Sequence, residues 1–193
     1  MTWLVAGLGN PGPRYEATRH NAGFMVIDHL AEELGGAYWK DLGGAKIVET
    51  RLGGDTVVLA LPQTFMNVSG ASVARLAAHY DVPVERIIAV HDDIDLPPAT
   101  VRAKRGGGHG GHNGLRSLHA KLGSGDYLRV RVGVGRPPGR QDPADYVLEP
   151  LGRQAAEDLG AAVLRGQAMV VHIIEHGVDS AMNEFNVREM GAE

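Results

Sequence analysis

The sequence predicts an α/β fold in one three-layer domain, with a central mixed, mostly parallel twisted sheet flanked by helices. Strand-like and helix-like apolar patterns alternate along all 193 residues, and no shift in composition, repeat or linker interrupts them. The length suits one domain, and a hydrophobic content of 44% is ordinary for a globular protein. We therefore expect one domain over residues 1–193.

The first half of the chain supplies three strands and two helices. The apolar run "TWLVA" predicts a first strand, and a turn-rich stretch leads from it to the periodic "FMVIDHLAEELGG", a helix that ends at Gly35 and Gly36. Two strands joined by a glycine turn follow in "KIVETRLGGDTVVLALP". The next periodic segment, "NVSGASVARLAAHY", predicts a second helix.

The second half continues the alternation. "RIIAVHDDID" predicts a buried strand that ends in acids, "LPPATVRAK" another strand, "GLRSLHAKLG" a helix, and the alternating "YLRVRVGVG" a half-buried strand. From about Leu151 the chain is helical and acidic, with one long amphipathic helix and a short last one.

Composition and the lack of long apolar segments argue against several classes of protein. The chain has no cysteine, so disulfides and thiolate chemistry are excluded, and a cytoplasmic location is expected. The N-terminus lacks the pattern of a signal peptide, and no apolar stretch approaches the roughly 20 residues of a membrane span. We expect no association with membranes.

Positive charge is concentrated in one block. Residues 96–141 hold nine Lys and Arg residues and a single acid, a net charge of +8, although the whole chain carries −4. Such a block is either a solvated surface or the footprint of a polyanion site.

The sequence "GLGNPG", residues 7–12, has the spacing of a dinucleotide-binding fingerprint, but its context contradicts that function. A helix must start inside the motif to hold the pyrophosphate, and Pro11 and Pro13 prevent one. The turn presents Asn10 at the carboxyl end of a strand, where open α/β sheets usually bind ligands.

Three further segments carry residues suited to chemistry. They are His20 in the polar loop "TRHNAG", the acids of "HDDID" at 91–95, and the glycine-rich "RGGGHGGHNGL" at 105–115. The spacing of His109 and His112, or of His91 and Asp95, permits a metal, although no established ligand motif occurs and we expect none. No serine elbow is present. The favoured chemistry is a histidine general base on water, oriented by a carboxylate.

These motifs resemble a known family. "GLGNPGPRYEATRHNAG", "LPQTFMNVSG", "VHDDIDLPP" and "KRGGGHGGHNGL" occur in the same order as in bacterial peptidyl-tRNA hydrolases, and the resemblance covers essentially the whole chain. It implies a monomeric α/β enzyme that cleaves the ester between a peptide and the 3′ ribose of tRNA, with no cofactor.

The resemblance also implies roles for ten residues. His20 corresponds to the catalytic base, Asp92 to the carboxylate that holds it, and Asn10 to the residue that helps to distinguish blocked from free aminoacyl groups. The expected substrate-binding residues are Asn67 and Asn113 for positioning, Tyr15 and Phe65 for the tRNA 3′ end, and Arg102, Lys104 and Arg131 for the acceptor stem.

Two other functions remain open at this point. One is an RNA-binding module on the same fold without hydrolysis, because a fold does not guarantee an activity. The other is a metal-dependent phosphoesterase, since carboxylates and imidazoles are predicted beside a basic surface.

Overall fold

The computed structural model describes residues 1–36 and 38–186, which form a three-layer α/β fold around one mixed sheet. The order of its seven strands is β2-β3-β4-β1-β5-β7-β6. The central strands β4, β1, β5 and β7 run parallel, whereas β2, β3 and β6 join through antiparallel pairs. The strands are β1 (Thr2–Gly7), β2 (Lys40–Leu42), β3 (Ala45–Leu52), β4 (Asp55–Pro62), β5 (Ile87–Asp93), β6 (Val101–Arg105) and β7 (Leu128–Gly133).

Helices cover both faces of this sheet because its strands alternate two sets of apolar side chains. Val5 of β1 points to the face on which α1, α5 and α6 pack, and Leu4 and Ala6 point to the face of α2 and α3. The helices are α1 (Ala22–Glu33), α2 (Ser69–His79), α3 (Asn113–Leu122), the short α4 (Pro143–Tyr146), α5 (Arg153–His176) and α6 (Val178–Phe185). The predicted fold class is confirmed, and the last seven residues of the predicted domain lie outside the described part.

The glycines after β1 bring a helix close to a strand. A Cβ at Gly7 would overlap the carbonyl oxygen of Gly23 in α1, and one at Gly9 would lie 2.7 Å from the ring of Phe24. Turns fill residues 12–18, and the first helical residues are those of a 3-10 helix at Arg19–Asn21. The glycines therefore allow α1 to pack on β1, and no helix starts inside the motif.

Two elements were not predicted, β2 and α4. β2 has only three residues, too few to show an alternating pattern. α4 has four, although its start carries recognisable signals: Pro143 at its first position and the Asp142 carboxylate, which accepts a hydrogen bond from the Ala144 N–H. No helix in the described part of the chain is both long and apolar enough to cross a membrane.

The strand order indicates where a ligand is expected to bind, along the edge of the sheet formed by the carboxyl ends of its parallel strands. β4 and β5 lie on opposite sides of β1, so the connections that follow β1 and β4 diverge at their carboxyl ends. The loops after β1, β4, β5 and β7 all leave from that edge, which is where the predicted site residues concentrate.

Candidate active site

A cleft of about 680 Å³ lies at the carboxyl ends of the parallel strands. Tyr15 and Arg102 are not part of its lining; Tyr15 is half-buried in the turn before His20, and Arg102 is half-buried on β6. The other eight predicted residues all line the cleft: Asn10, His20, Phe65, Asn67, Asp92, Lys104, Asn113 and Arg131.

The cleft brings His20 and Asp92 into contact across 72 residues of sequence. The backbone N–H of His20 donates to the carbonyl of Val147 (2.9 Å), which ties the 3-10 helix before α1 to the segment after α4. Its ring Nδ1 lies 2.9 Å from one carboxylate oxygen of Asp92 and 3.1 Å from the other. Because Nδ1 donates to the carboxylate, Nε2 is left as the basic atom of the neutral ring.

His112 is a second partner of the same carboxylate. Its Nε2 donates to Asp92 Oδ1 at 2.8 Å, while its Nδ1 accepts the backbone N–H groups of Gly114 and Leu115 at 3.1 and 3.3 Å and so caps α3. The two amide donors require the tautomer with its proton on Nε2. Sequence reasoning considered His112 only as a metal ligand; its position directly before a helix is the signal that indicates a cap.

The electrostatics of this cluster follow from burial and pairing. Burial lowers the pKa of His20, but the charge and hydrogen bond of Asp92 outweigh it, and the pKa is raised above 6.5. Burial alone raises the pKa of Asp92, which is 2% exposed, but His20 and His112 lower it well below its usual range. Asp92 is therefore ionised at neutral pH.

A third histidine lies under the cluster. His91 is 2% exposed, and its Nδ1 donates to the backbone carbonyl of Asp92 at 2.8 Å. Burial first, and then the nearby His112, lower the pKa of His91 to about 3. His91 is therefore neutral and acts as a packing element that holds the backbone of Asp92.

Asn10 has a fixed amide orientation. Its Oδ1 accepts the backbone N–H of Met66 at 2.7 Å, which assigns the oxygen and leaves Nδ2 as a donor in the cleft. Asn21 holds the Asn10 backbone from both sides, since its Oδ1 accepts the N–H and its Nδ2 donates to the carbonyl, both at 2.9 Å. Asn67 and Asn113 are exposed at the cleft.

Basic side chains of β6 and β7 share the sheet face opposite to α5 and α6. Arg102 and Lys104 of β6 stand opposite Arg131 and Arg129 of β7, so all four point to one face, and the apolar residues between them point to α5 and α6. The block is partly neutralised, because Arg131 Nε donates to the carboxylate of Asp93 at 2.8 Å. Further ion pairs join Arg105 to Asp179 and Arg136 to Asp95.

His20, Asp92 and His112 could also hold a metal ion, since one ligand atom from each lies within 4.8 Å of the others. The nitrogens, however, lie 2.8–2.9 Å from the Asp92 oxygens. Ligand atoms around a tetrahedral Zn²⁺ are about 3.3 Å apart, given bond lengths of about 2.0–2.1 Å. In this arrangement the atoms are spaced as hydrogen-bond partners. Of the pairs whose sequence spacing permitted a metal, His109 with His112 and His91 with Asp95, only His112 belongs to this cluster.

The chain is similar to known proteins over nearly its whole length. The sequence model described as peptidyl-tRNA hydrolase matches residues 4–193. The peptidyl-tRNA hydrolase of Kineococcus radiotolerans is 50% identical, over 95% of this chain and 96% of its own. That of Frankia casuarinae is 51% identical, over 95% and 93%. The crystal structure of the Acinetobacter baumannii enzyme superimposes with a TM-score of 0.89 at 34% identity, covering 96% of this chain and 95% of that one.

Fold and site thus define an α/β protein with a histidine–carboxylate pair in an open, basic-walled cleft. The chain belongs to the peptidyl-tRNA hydrolase family.

Proposed function

We propose that this protein hydrolyses the ester bond of peptidyl-tRNA, releases tRNA for reuse, and activates water with His20. Family membership supports the substrate, and the His20–Asp92 contact in the cleft is the observation that carries the mechanism. Nε2 takes a proton from water as the water oxygen attacks the ester carbonyl, whose electron pair moves to its oxygen. When the tetrahedral intermediate collapses, the ribose oxygen leaves and receives the proton from Nε2.

Asp92 stabilises the imidazolium that forms in this reaction and keeps the proton of neutral His20 on Nδ1. Because His112 donates to the same carboxylate from a fixed tautomer, we assign it the role of orienting Asp92 toward His20. A base held in this way contributes on the order of 10²–10⁴-fold in rate.

The asparagines would recognise the acyl part of the substrate. Nδ2 of Asn10 can donate to the ester carbonyl and to the oxyanion that develops from it. The exposed amides of Asn67 and Asn113 can pair with peptide groups. Uncharged amides give a free α-amino group no ionic advantage, which is consistent with a preference for blocked aminoacyl groups.

The basic face would attract the tRNA backbone. Lys104 and Arg131 in the cleft, with Arg102 beside them, offer sequence-independent contacts to the acceptor stem. Phe65 is 61% exposed at the cleft, as a platform for stacking an unpaired base of the 3′ end would be. Tyr15 lies away from the lining, and its contact with the 3′ end stays a prediction from the family.

We further propose that the reaction needs no metal, because a histidine paired with a carboxylate can activate water without one. A monomeric state and a cytoplasmic location also stay predictions. The two rival functions have distinct outcomes: an RNA-binding module would bind peptidyl-tRNA without releasing peptide, and a metal-dependent phosphoesterase would lose its activity on chelation.

The direct test compares peptide release from N-blocked aminoacyl-tRNA and from free aminoacyl-tRNA by wild type and His20→Ala. We expect wild type to prefer the blocked substrate, and His20→Ala to lower kcat by about 10²–10⁴-fold with tRNA affinity nearly unchanged. His79→Ala, an exposed histidine at the end of α2, is the control and should behave as wild type. Near-normal turnover by His20→Ala would remove this residue from its proposed role.

A further inference from the structure

Arg129 is the buried member of the basic face. It is 2% exposed, and its guanidinium donates through Nη1 to the carbonyl of Gly108 and through Nη2 to those of Gly107 and Gly125. Its hydrogen-bond partners in the described chain are backbone carbonyls and not a carboxylate, and its guanidinium also lies over the Tyr127 ring, 4.8 Å from the ring centroid. Burying a cation costs free energy. A buried guanidinium that donates only to backbone carbonyls therefore indicates that the position of the backbone around Gly107 and Gly108 matters.

The same loop is held from the other side by α3. The Nε2 atom of His119 lies 3.0 Å from the Gly107 carbonyl oxygen, and its Nδ1 lies 2.8 Å from the Leu115 carbonyl oxygen and 2.9 Å from the Tyr127 hydroxyl. Arg129 and His119 therefore meet at one carbonyl oxygen. This loop, residues 106–111, has few regular hydrogen bonds, and four of its glycines have positive φ, from 57° to 104°.

The loop forms one wall of the cleft and leads directly into His112 and Asn113. It also contacts Lys104, since a Cβ at Gly107 would lie 2.6 Å from the Lys104 ammonium nitrogen. A displacement of the loop would therefore move His112, which contacts Asp92, together with Asn113 and Lys104, which are proposed to bind the substrate.

Building on the proposed function, we propose that Arg129 is a positioning residue and not a phosphate ligand: its guanidinium holds the 106–111 loop where it sets His112, Asn113 and Lys104 in the cleft. Arg129 lies in the lining of the same cleft, but its side chain is 2% exposed and both of its Nη atoms donate to carbonyls inside the protein. Lys104, half-buried in the same lining, keeps the phosphate role.

The test compares Arg129→Met and Arg129→Lys with Lys104→Ala. Amide hydrogen exchange of residues 106–112 reports loop position without requiring any activity, and thermal unfolding reports overall folding. Kinetics use N-blocked aminoacyl-tRNA over a range of salt, and an N-blocked aminoacyl ester of a 3′-terminal nucleotide, which has no acceptor stem.

For both Arg129 variants we expect faster exchange in the loop and a fall in kcat/KM of about 10–100-fold on both substrates, with an unchanged salt slope. Arg129→Lys keeps the charge but not the paired donors, so it should share the defect. Lys104→Ala should lower the salt slope by about one on the tRNA substrate, a change that the Arg129 variants should not show.

Wild-type exchange in the Arg129 variants, or a lower salt slope with normal turnover of the short ester, would overturn the positioning role. Should Arg129→Met not fold, His119→Phe removes the other ring nitrogen that contacts the Gly107 carbonyl, and it should give the same pattern more weakly. If wild type itself hydrolyses neither substrate, the proposed function fails, while the exchange data still decide whether Arg129 holds the loop.

Discussion

Asp92→Asn tests the proposed mechanism most directly, because the Asp92 carboxylate accepts hydrogen bonds from two histidines. Both His20 Nδ1 and His112 Nε2 donate to its carboxylate. An asparagine has one acceptor oxygen and one donor nitrogen, so its nitrogen cannot accept a hydrogen bond from the imidazole that it faces. His112 cannot change its tautomer without losing the two amide N–H groups that its Nδ1 accepts. The asparagine NH₂ must therefore face His20. Because Nδ1 of His20 then has to accept a hydrogen bond, the proton of the neutral ring moves from Nδ1 to Nε2.

The expected loss can be worked out from these contacts. A hydrogen bond to a charged group contributes about 1.5–3 kcal/mol, and about 1.36 kcal/mol is tenfold in rate. Losing the carboxylate from the imidazolium thus lowers the rate by about 10–150-fold. The wrong tautomer adds to this, because Nε2 then carries a proton and cannot accept one from water. We expect kcat/KM to fall by about 10²–10⁴-fold.

The assay is single-turnover release of the N-blocked aminoacyl group from tRNA, with tRNA affinity measured separately. The decisive comparison is the double variant Asp92→Asn/His112→Asn. Asparagine at position 112 keeps the cap of α3 but is too short to replace the imidazole contact with position 92. The amide oxygen introduced at position 92 is then free to accept from His20, so the double variant should be faster than Asp92→Asn alone. His112→Asn by itself should be slower than wild type.

Two results would refute this reasoning. If Asp92→Asn stays within tenfold of wild type, the carboxylate does not orient the base. If the double variant is no faster than the single one although both fold, His112 does not dictate which way residue 92 faces.

Three other predictions concern pH, metal and packing. The kcat/KM of wild type should rise with pH through the raised pKa of His20, with a midpoint above 6.5. Asp92→Ala should lower that midpoint, because His20 stays buried and the carboxylate that raises its pKa is gone. A midpoint that does not move would assign this rise in kcat/KM to another group. Exhaustive chelation should leave peptide release unchanged; a loss restored by one added metal would contradict the metal-free reaction. Gly23→Ala should destabilise the fold by about 1–3 kcal/mol, because its Cβ would overlap the carbonyl oxygen of Val90 in β5. Gly160→Ala on an open face of α5 should instead be neutral or stabilising in thermal unfolding.

Much of the fold could be predicted because its signals are local. The apolar periods of β1, α1, β5 and α5 predicted elements that the structure contains, and Pro11 and Pro13 correctly argued against a helix in the glycine motif. Short elements were missed because three or four residues hold no period.

By itself, the sequence determined the alternation of strands and helices, the family motifs and the candidate side chains, since each of these depends on residues close together in the chain. The tertiary structure alone decided which of them meet. Packing of α1 against β1 and β5 brings His20 to Asp92 over 72 residues, and the cap of α3 adds His112. It also distinguished two charges that composition counts alike. Both line the cleft, but Lys104 is partly exposed, whereas Arg129 is buried and donates to carbonyl oxygens. The contacts and the burial of a side chain depend on residues that are distant in sequence, so a local sequence pattern does not determine them.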